Sequence, residues 1–422
     1  MQKTVALHTL GCKLNYSETT ALGRMLENDG FIKKEFSEVA DVYVINTCSV
    51  TENADKECRQ IVRKIQRNAP EALVVITGCY AQLKPKEIAA IPGVNLVLGA
   101  AEKFNIAHHL TEITKNDPTK ICSCDVEDVN VFVPSHSVNE RTRIFLKIQD
   151  GCDYNCSFCT IPMARGKSRS DAIANISENV KAIAAGGAKE IVLTGINLGD
   201  FGKGYTGGKK HGENFFDLIQ ELDQLVGIER YRISSIEPNL LSNEIIEFVS
   251  NSKHFMPHFH IPLQSGSNKT LAAMRRRYRT ELYAEKISLI KLLMPHCCIG
   301  VDVIVGFPGE SEDDFNDTLA FLKSMEVSYL HVFTYSERDN THALTLRPVV
   351  PVHVRHERNK ILRNLSYEKM QAFTQNHIGQ IRKVLFESVN KNGMMEGYSD
   401  NYIKIAVPFK KEWENKIIDW HI

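Results

Sequence analysis

The decisive stretch of this sequence is Gln149-Asp-Gly-Cys-Asp-Tyr-Asn-Cys-Ser-Phe-Cys-Thr-Ile-Pro-Met-Ala-Arg165. Its three cysteines, at C-x3-C-x2-C spacing, are Cys152, Cys156 and Cys159. Thiolates on a tight loop are usual ligands of iron–sulfur clusters, and three of them leave one iron of a four-iron cluster open. A zinc ion would need a fourth protein ligand, and this loop contains no histidine. We therefore predict a four-iron cluster here, with Phe158 packing beside a cofactor; three structural core cysteines are the alternative.

A second group of cysteines follows from a repeated pattern near the N-terminus. Apolar, β-branched runs that end in cysteine occupy Val5–Cys12, Val42–Cys48 and Leu73–Cys79, and a fourth apolar run is Val94–Leu98. The helical stretches between them are Ser17–Asp29 and Asn53–Asn68. This alternation predicts a parallel sheet, whose ligands bind beyond the carboxyl ends of the strands. We therefore expect Cys12, Cys48 and Cys79 to converge and hold a second cluster, the alternative being three small residues that pack at strand ends.

Composition excludes several classes of protein. The chain has 422 residues, enough for two or three domains, and ordinary hydrophobic (43%) and charged (24%) fractions. No apolar run approaches the roughly 20 residues that span a bilayer, so we expect a cytoplasmic protein with no membrane partner. Eleven cysteines in such a protein indicate metal or redox chemistry rather than disulfides. The cysteines to which we assign no cluster are Cys58, Cys122, Cys124, Cys297 and Cys298.

Beyond a polar connector at 116–139, strands and helices alternate. The candidate strands are Arg143–Gln149, Glu190–Gly195, Arg230–Ser235, His258–Leu263, Gly300–Val305 and Tyr329–Tyr335. The amphipathic stretches between them include Ala174–Ala185, Thr280–Leu293 and Glu312–Met325. Six such repeats predict a partial parallel (β/α)6 barrel, whose working face lies at the C-terminal ends of its strands. The cysteine loop follows the first strand, and polar residues at later strand ends are candidate cofactor contacts: Asn197, Glu237 and Gln264.

The C-terminal part changes character. A long charged helix is predicted over Pro351–Asn376, followed by β-rich pieces with glycine and asparagine turns. These pieces predict a small antiparallel β-barrel, a fold that commonly binds nucleic acid, although no clear closing strand follows Pro408. Because the net charge is zero, any nucleic-acid contact must come from local patches. The run that could bind phosphates comprises Arg275, Arg276, Arg277 and Arg279, with a plain solvated surface as the alternative.

These motifs together resemble the radical S-adenosylmethionine (SAM) methylthiotransferase family across essentially the whole chain. Three segments look like the cysteine motifs of its N-terminal domain: Thr9–Asn15, Asn46–Thr51 and Thr77–Gln82. The segment Asp150–Cys159 looks like its radical-SAM loop. The resemblance implies an α/β fold with an N-terminal domain at 1–120, a radical-SAM barrel at 138–370 and an RNA-binding TRAM-like barrel at 371–422, the last of these incomplete by its sequence.

The resemblance also implies the chemistry. Two [4Fe–4S] clusters and SAM would be the cofactors, because replacing a C–H bond by sulfur requires a radical. The cluster of Cys152, Cys156 and Cys159 would reduce SAM to a 5′-deoxyadenosyl radical. The cluster of Cys12, Cys48 and Cys79 would carry the sulfur, which a second SAM would methylate. The implied partners are the anticodon loop of a tRNA and an electron donor such as flavodoxin or ferredoxin.

Within the family, the motifs favour one substrate. Lys13 stands where enzymes acting on isopentenyladenosine usually carry glutamine, and the segments Val50–Arg59 and Gln264–Arg279 look like the threonylcarbamoyl type. We therefore expect methylthiolation at C2 of N6-threonylcarbamoyladenosine beside the anticodon, whose carboxylate an arginine of the 275–279 run could bind. The alternatives are isopentenyladenosine in tRNA, an aspartate of a ribosomal protein and, from another class, a non-catalytic two-cluster electron carrier or redox sensor.

Overall fold

The computed structural model describes residues 2–48, 52–129, 131–137, 142–204, 212–389 and 393–422. Its N-terminal part is a six-stranded, wholly parallel sheet with the order β2-β1-β3-β4-β5-β6. The strands are β1 (Thr4–Thr9), β2 (Ile32–Lys34), β3 (Val42–Thr47), β4 (Leu73–Gly78), β5 (Leu96–Leu98) and β6 (Lys120–Cys122). β3 and β4 are buried along their whole length, as apolar central strands of a parallel sheet must be.

Helices cover both faces of this sheet. They are α1 (Lys13–Asn28), α2 (Glu52–Asn68), α3 (Cys79–Leu83), α4 (Pro85–Ala89) and α5 (Ile106–Thr111). One apolar core lies between the sheet and α2, with Val62 and Ile65 fully or nearly buried, and the other includes Leu22 and Leu26 of α1. The predicted first helix began at Ser17, but α1 starts at Lys13, directly after Cys12. The start of this helix therefore fixes the position of a candidate ligand.

The middle of the chain contains β7 to β15. These strands are β7 (Ser135–His136), β8 (Arg143–Lys147), β9 (Gln149–Asp150), β10 (Arg169–Ser170), β11 (Glu190–Thr194), β12 (Arg230–Ile233), β13 (His258–His260), β14 (Cys298–Val305) and β15 (Tyr329–Thr334). Parallel pairing gives the sequences β8-β11-β12 and β13-β14-β15, and the isolated bridges Tyr231 to Phe255 and Ser235 to His260 join β12 to β13. Six parallel strands therefore follow one another in chain order, as the sequence predicts for a (β/α)6 barrel. β7 extends the first edge antiparallel to β8.

Helices surround this barrel. They are α6 (Ile161–Arg165), α7 (Ile173–Ala185), α8 (Phe215–Gln224), α9 (Asn243–Asn251), α10 (Asn268–Ala273), α11 (Thr280–Leu293), α12 (Glu312–Ser324) and α13 (Val352–Gln375). Short 3₁₀ helices occupy Lys103–Asn105, Val126–Asp128, Leu198–Asp200, His342–Thr345 and Lys411–Trp413. The largest apolar core of the molecule packs these helices against the outer side of the strands, with Leu218, Ile246 and Ile290 fully buried. No helix in the described ranges is long and apolar enough to cross a membrane.

The C-terminal part is a four-stranded antiparallel sheet with the order β18-β17-β16-β19. Its strands are β16 (Ile381–Val389), β17 (Met394–Ser399), β18 (Lys404–Pro408) and β19 (Ile417–His421). The expectation that no clear closing strand follows Pro408 is wrong, because β19 pairs with β16 over five residues. The rings of Trp413 and Trp420 pack on Phe386 at 5.4 and 5.6 Å, which anchors this last strand. The TRAM-like barrel itself stays a prediction.

Candidate active site

The three cysteines of the 149–165 stretch lie on a loop at the end of β9. A backbone hydrogen bond of 3.1 Å from Cys152 N to Gly166 O closes its base. Gly151 starts the loop with a φ of +72°, and a Cβ on this residue would lie 2.0 Å from Lys167 O. Only glycine fits there, because any side chain would collide with backbone. The loop therefore folds back on the C-terminal end of α6.

The thiols of this loop lie close enough to interact. The pKa of Cys152 and of Cys159 is raised to about 12, mainly by burial and in smaller part by the charge of Cys156. Burial likewise raises the pKa of Cys156. Because iron binds thiolates, loading a cluster on this loop has to release these protons. The structure thus brings the three predicted ligands together on one loop.

Arg276, which the sequence predicts as a phosphate-binding residue, contacts this group of sulfurs. Its Nη1 donates to Cys156 Sγ at 3.1 Å, and its Nη2 pairs with the carboxylate of Glu237. Only 4% of the Arg276 side chain is exposed. Burial would lower the pKa of this guanidinium, but its neighbours Tyr278 and Glu237 hold it well above the usual range. Glu237, a predicted SAM contact, is therefore the ion-pair partner of a cation beside Cys156.

A cavity of about 250 Å³, the cofactor cavity, opens beside the same loop. It is lined by Phe158, Cys159, Gln264, Asp302, Ile304 and Phe333, among others. Gln264, a predicted SAM contact, has an unusual φ of +67° that two backbone hydrogen bonds maintain, to Asp302 O at 2.8 Å and from Ile304 N at 2.9 Å. Strained backbone of this kind clusters at ligand sites. The cavity brings Gln264 together with Phe158 and Cys159 of the cysteine loop, and their contact with SAM stays a prediction.

The remaining predicted cofactor contact has another position. Asn197 is 2% exposed, receives a hydrogen bond from Glu237 N at 3.4 Å and does not line the cofactor cavity. Its Nδ2 is buried without a hydrogen-bond partner among the described residues. The side chain therefore lies next to Glu237, with an amide donor left over for a ligand.

The second group of cysteines lies where strands β1, β3 and β4 end. Thr9, Asn46 and Thr77 are aligned across these strands, so the following residues leave the sheet at one edge. Those residues carry the predicted ligands Cys12, Cys48 and Cys79. A Cβ on Gly11, whose φ is +107°, would lie 2.5 Å from Cys48 Cβ, so the first two strand ends touch. Burial raises the pKa of the Cys79 thiol, and the charge of Cys12 raises it as well. Cys79 therefore lies close enough to Cys12 to belong to the same group.

Two asparagines hold these strand ends in place. Asn15 Nδ2 donates to Leu10 O and to Thr47 O, each at 3.0 Å. Asn46 Nδ2 donates to Asn15 O at 3.0 Å and to Thr19 Oγ1 at 3.1 Å. Both asparagines are fully buried. They tie the segment after Cys12 to the segment before Cys48.

A buried network of charges connects the N-terminal sheet with the barrel. Arg165 Nη2 donates to Asn15 Oδ1 at 2.6 Å, and its Nη1 lies 2.9 Å from Asp150 Oδ1. Glu18, fully buried, pairs with Lys103 at 2.7 Å and with both Lys147 and Arg165 at 3.2 Å. Burial alone would raise the pKa of Glu18, but these three cations hold it well below its usual range. The network therefore fixes one cysteine group relative to the other.

A further cavity of about 310 Å³, the junction cavity, lies where the three parts of the chain meet. Cys12, Lys13 and Tyr16 line it from the N-terminal part, Arg143, Arg232 and His258 from the barrel and Tyr402 from the C-terminal part. Surrounding protein lowers the pKa of the Lys13 ammonium group, and the nearby arginines add to this effect. The pKa of His258 also lies well below its usual range because the ring is buried. The cavity thus has a cationic wall next to a candidate cluster ligand.

The predicted phosphate-binding arginines separate into two kinds. Arg276 points inward to Cys156, whereas Arg275, Arg277 and Arg279 are exposed. The guanidinium of Arg277 lies 4.0 Å from the ring centroid of Tyr154, on the cysteine loop. Arg277 therefore lies against that loop, and Arg275 and Arg279 are exposed cations of the same segment.

The two groups of cysteines fit the chemistry of four-iron clusters. Each supplies three thiols, which is the donor set that leaves one iron free for another ligand. The cofactor cavity adjoins Cys159, and Cys12 lines the junction cavity. The sequence did not indicate Arg165, Glu18 or Lys147, because charges buried against distant segments leave no local pattern. It predicted Arg276 as a phosphate-binding residue, and its contact with Cys156 is an additional finding.

The chain is similar to known families and proteins along most of its length. Residues 4–99 match the uncharacterized protein family UPF0004, and residues 146–322 match the Radical SAM superfamily. The threonylcarbamoyladenosine tRNA methylthiotransferase of Bacillus subtilis is 38% identical over 98% of this chain and 92% of its own length. The enzyme of the same name from Aquifex aeolicus is 39% identical over 97% of both chains. A tRNA-2-methylthio-N6-dimethylallyladenosine synthase of Clostridium botulinum is 32% identical over 92% of this chain and 86% of its own.

Among solved structures, the radical SAM methyltransferase TsrM from Kitasatospora setae, with cobalamin and a [4Fe–4S] cluster bound, has a similar fold. It superimposes with a TM-score of 0.58 and 14% sequence identity, over 81% of this chain and 77% of the other. At this identity the likeness concerns the fold alone. It agrees with the succession of an α/β sheet and a parallel barrel described above.

Proposed function

Because the chain belongs to the radical-SAM methylthiotransferase family, we propose that it methylthiolates tRNA at C2 of N6-threonylcarbamoyladenosine beside the anticodon. The observation that carries this proposal is the pairing of two three-thiol groups across one buried network, in which Arg165 contacts both Asn15 and Asp150. An enzyme that inserts sulfur into a C–H bond needs a radical source and a sulfur carrier near one substrate. Relatives that match nearly the whole chain bear this activity in their names.

Residues of this chain would hold each cofactor. Cys152, Cys156 and Cys159 would bind the radical-generating [4Fe–4S] cluster, and Cys12, Cys48 and Cys79 the second one. When bound, the clusters and SAM supply the radical, the sulfur and the methyl group. Gln264 and Phe158 would line the SAM site, because both line the cofactor cavity beside Cys159.

Other side chains support these sites without binding a cluster iron themselves. Arg276 places a positive charge on Cys156 Sγ, and its pairing with Glu237 holds that charge in position. Asn197 offers its Nδ2 next to Glu237. These contacts hold the Arg276 guanidinium against Cys156, where it offsets the negative charge of the thiolate.

The exposed arginines Arg275, Arg277 and Arg279 would contact phosphates of the anticodon arm, and the C-terminal antiparallel sheet would extend the RNA surface. The clusters need electrons from a donor such as flavodoxin or ferredoxin. Because tRNA is modified in the cytoplasm, we place the enzyme there.

Nucleoside mass spectrometry of tRNA from a strain that lacks the gene tests the proposal. We expect the methylthio form of threonylcarbamoyladenosine to disappear and the unmethylthiolated nucleoside to accumulate. A plasmid copy should restore the mark, and a Cys152→Ala copy should not. Loss of a methylthio-isopentenyl nucleoside instead would contradict the substrate.

Two other functions give different results in the same strains and in vitro. A ribosomal-protein target would leave tRNA nucleosides unchanged and remove a mass shift from an aspartate of that protein. A two-cluster electron carrier would not form 5′-deoxyadenosine from SAM when it is reduced. The junction cavity beside Cys12 favours the tRNA enzyme, because an electron carrier has no substrate to bind there.

A further inference from the structure

Among the described residues that line the junction cavity, one cation makes no direct hydrogen bond or ion pair. Lys13 lines the cavity and is accessible to solvent, and within the described residues its ammonium group has no hydrogen bond or ion pair. The two guanidinium groups of the wall are already paired, Arg232 with Glu190 at 2.8 Å and Arg143 with Glu387. Lys13 is therefore the cation that remains for a ligand with negative charge.

The position of Lys13 relates this cavity to the reacting groups. Its neighbour Cys12 belongs to the second cysteine group and lines the same cavity. Asp302 lines the cofactor cavity beside Cys159, and its charge also acts on Lys13. A nucleoside that reacts at both cysteine groups has to come close to Cys159, beside the cofactor cavity, and to Cys12, in the junction cavity. A substituent on its N6 atom can then extend into the junction cavity.

We propose that the junction cavity binds the N6 substituent of the substrate adenosine and that Lys13 pairs with the carboxylate of that substituent. The inference rests on the proposed function and adds the residue that selects the substrate. A volume of about 310 Å³ is enough for a group of this size. Tyr402 of the C-terminal part also lines the cavity.

The same cavity disfavours an isopentenyl group. Such a group is apolar and would cover Lys13 without giving its charge a partner. Burial of an unpaired charge is costly, so an apolar substituent would bind poorly here. Charge complementarity therefore separates the two kinds of tRNA substrate.

Equilibrium binding of anticodon stem–loop RNA tests the inference. The cluster-loaded enzyme is used without a reductant, so that no turnover occurs. One probe carries threonylcarbamoyladenosine, and the other carries the same group with its carboxylate converted to a carboxamide. We expect the wild-type enzyme to bind the acid about tenfold or more tightly than the amide, the range of one charge-assisted hydrogen bond. Lys13→Gln should remove this preference and leave the affinity for the amide unchanged.

Matched variants complete the experiment. Lys13→Arg should keep the preference for the acid because it keeps the charge, and Lys3→Gln, which removes an exposed lysine elsewhere, should behave as the wild type. Iron content of each variant shows whether the clusters are retained. A Lys13→Gln enzyme that still prefers the acid would overturn the inference, and so would a wild-type enzyme that binds acid and amide equally. Methylthiolation of the same RNA by the wild-type enzyme is measured separately. Its result tests the proposed function independently of the inference about Lys13.

Discussion

Arg165 Nη2 donates a hydrogen bond of 2.6 Å to Asn15 Oδ1, although 150 positions separate the two residues in the chain. Asn15 stands three residues after Cys12, and Arg165 six residues after Cys159. The same guanidinium contacts Asp150, just before the cysteine loop. One buried side chain thus connects the segments that carry both groups of cysteines. The distance between the two cysteine groups is therefore set by side-chain contacts as well as by the backbone.

Arg165→Ala should weaken both sites together. The substitution leaves the carboxylates of Glu18 and Asp150 buried with fewer partners, and breaking a buried pair costs about 3 to 5 kcal/mol. We expect a lower free energy of unfolding and less iron per chain after reconstitution. Denaturant unfolding and iron analysis measure these effects. Arg363→Ala removes an exposed arginine of α13 and should leave both unchanged. Full iron content and stability in the Arg165 variant would show that the contact is dispensable.

Glu18→Gln tests the same network through pH. The pKa of Glu18 is held below its ordinary range, so its stabilising contribution is present above that range and is lost as the pH falls through the lowered pKa. We expect the variant to be less stable than the wild type at neutral pH, by about 3 kcal/mol or more. The difference should shrink in acid, where the wild-type carboxylate becomes protonated.

Thermal or denaturant unfolding at several pH values measures that difference. Glu27→Gln, an exposed change on the same helix, is the matched control. A stability difference that stays constant from neutral pH to strong acid would mean that the charge of Glu18 does not act in this way.

The sequence could predict the strand ends and the cysteines because these features are local. Apolar runs that end in cysteine locate the edge of the sheet, and the spacing of Cys152, Cys156 and Cys159 already indicates a cluster. The charge network could not be predicted in the same way. Glu18 and Lys147 lie 129 residues apart and meet only after both parts have folded. The last strand, β19, was missed for a related reason, since a short segment becomes a strand only by pairing with the distant β16.

The two cysteine groups should have separable roles. Cys152→Ala should abolish reductive cleavage of SAM, because that cluster supplies the electron and binds SAM. Cys48→Ala should leave cleavage intact and prevent formation of the methylthio product. Each variant should hold about four irons per chain, against about eight in the wild type.

Iron analysis, 5′-deoxyadenosine release and product mass spectrometry measure these outcomes. Cys124→Ala, outside both groups, should keep full iron and full activity. A Cys48→Ala enzyme that still forms methylthiolated RNA would contradict the assignment, as would a wild-type protein that holds four irons.

Arg276 should tune the cluster that Cys156 helps to bind. A cationic donor on a ligand sulfur stabilises the more negatively charged, reduced cluster. Arg276→Ala should therefore lower the reduction potential, by on the order of tens of millivolts. A redox titration followed by electron paramagnetic resonance measures it. Arg277→Ala, whose guanidinium lies on Tyr154 instead of a sulfur, is the control. An unchanged potential in the Arg276 variant would exclude this role.

The exposed arginines should contribute charge to RNA binding without reading its sequence. Replacing Arg275, Arg277 and Arg279 together by alanine should weaken binding of every tRNA, whether or not it carries threonylcarbamoyladenosine. The slope of the logarithm of the binding constant against the logarithm of the salt concentration should fall by about one for each phosphate that an arginine no longer neutralises.

Filter binding at several salt concentrations measures both effects, and Arg363→Ala controls for the removal of an exposed arginine elsewhere. Since these side chains are exposed, unlike Arg276 at the sulfur of Cys156, SAM cleavage without RNA should persist. An unchanged salt slope would place the RNA on another surface, and weaker binding only of threonylcarbamoyl-bearing tRNA would make these arginines carboxylate ligands instead.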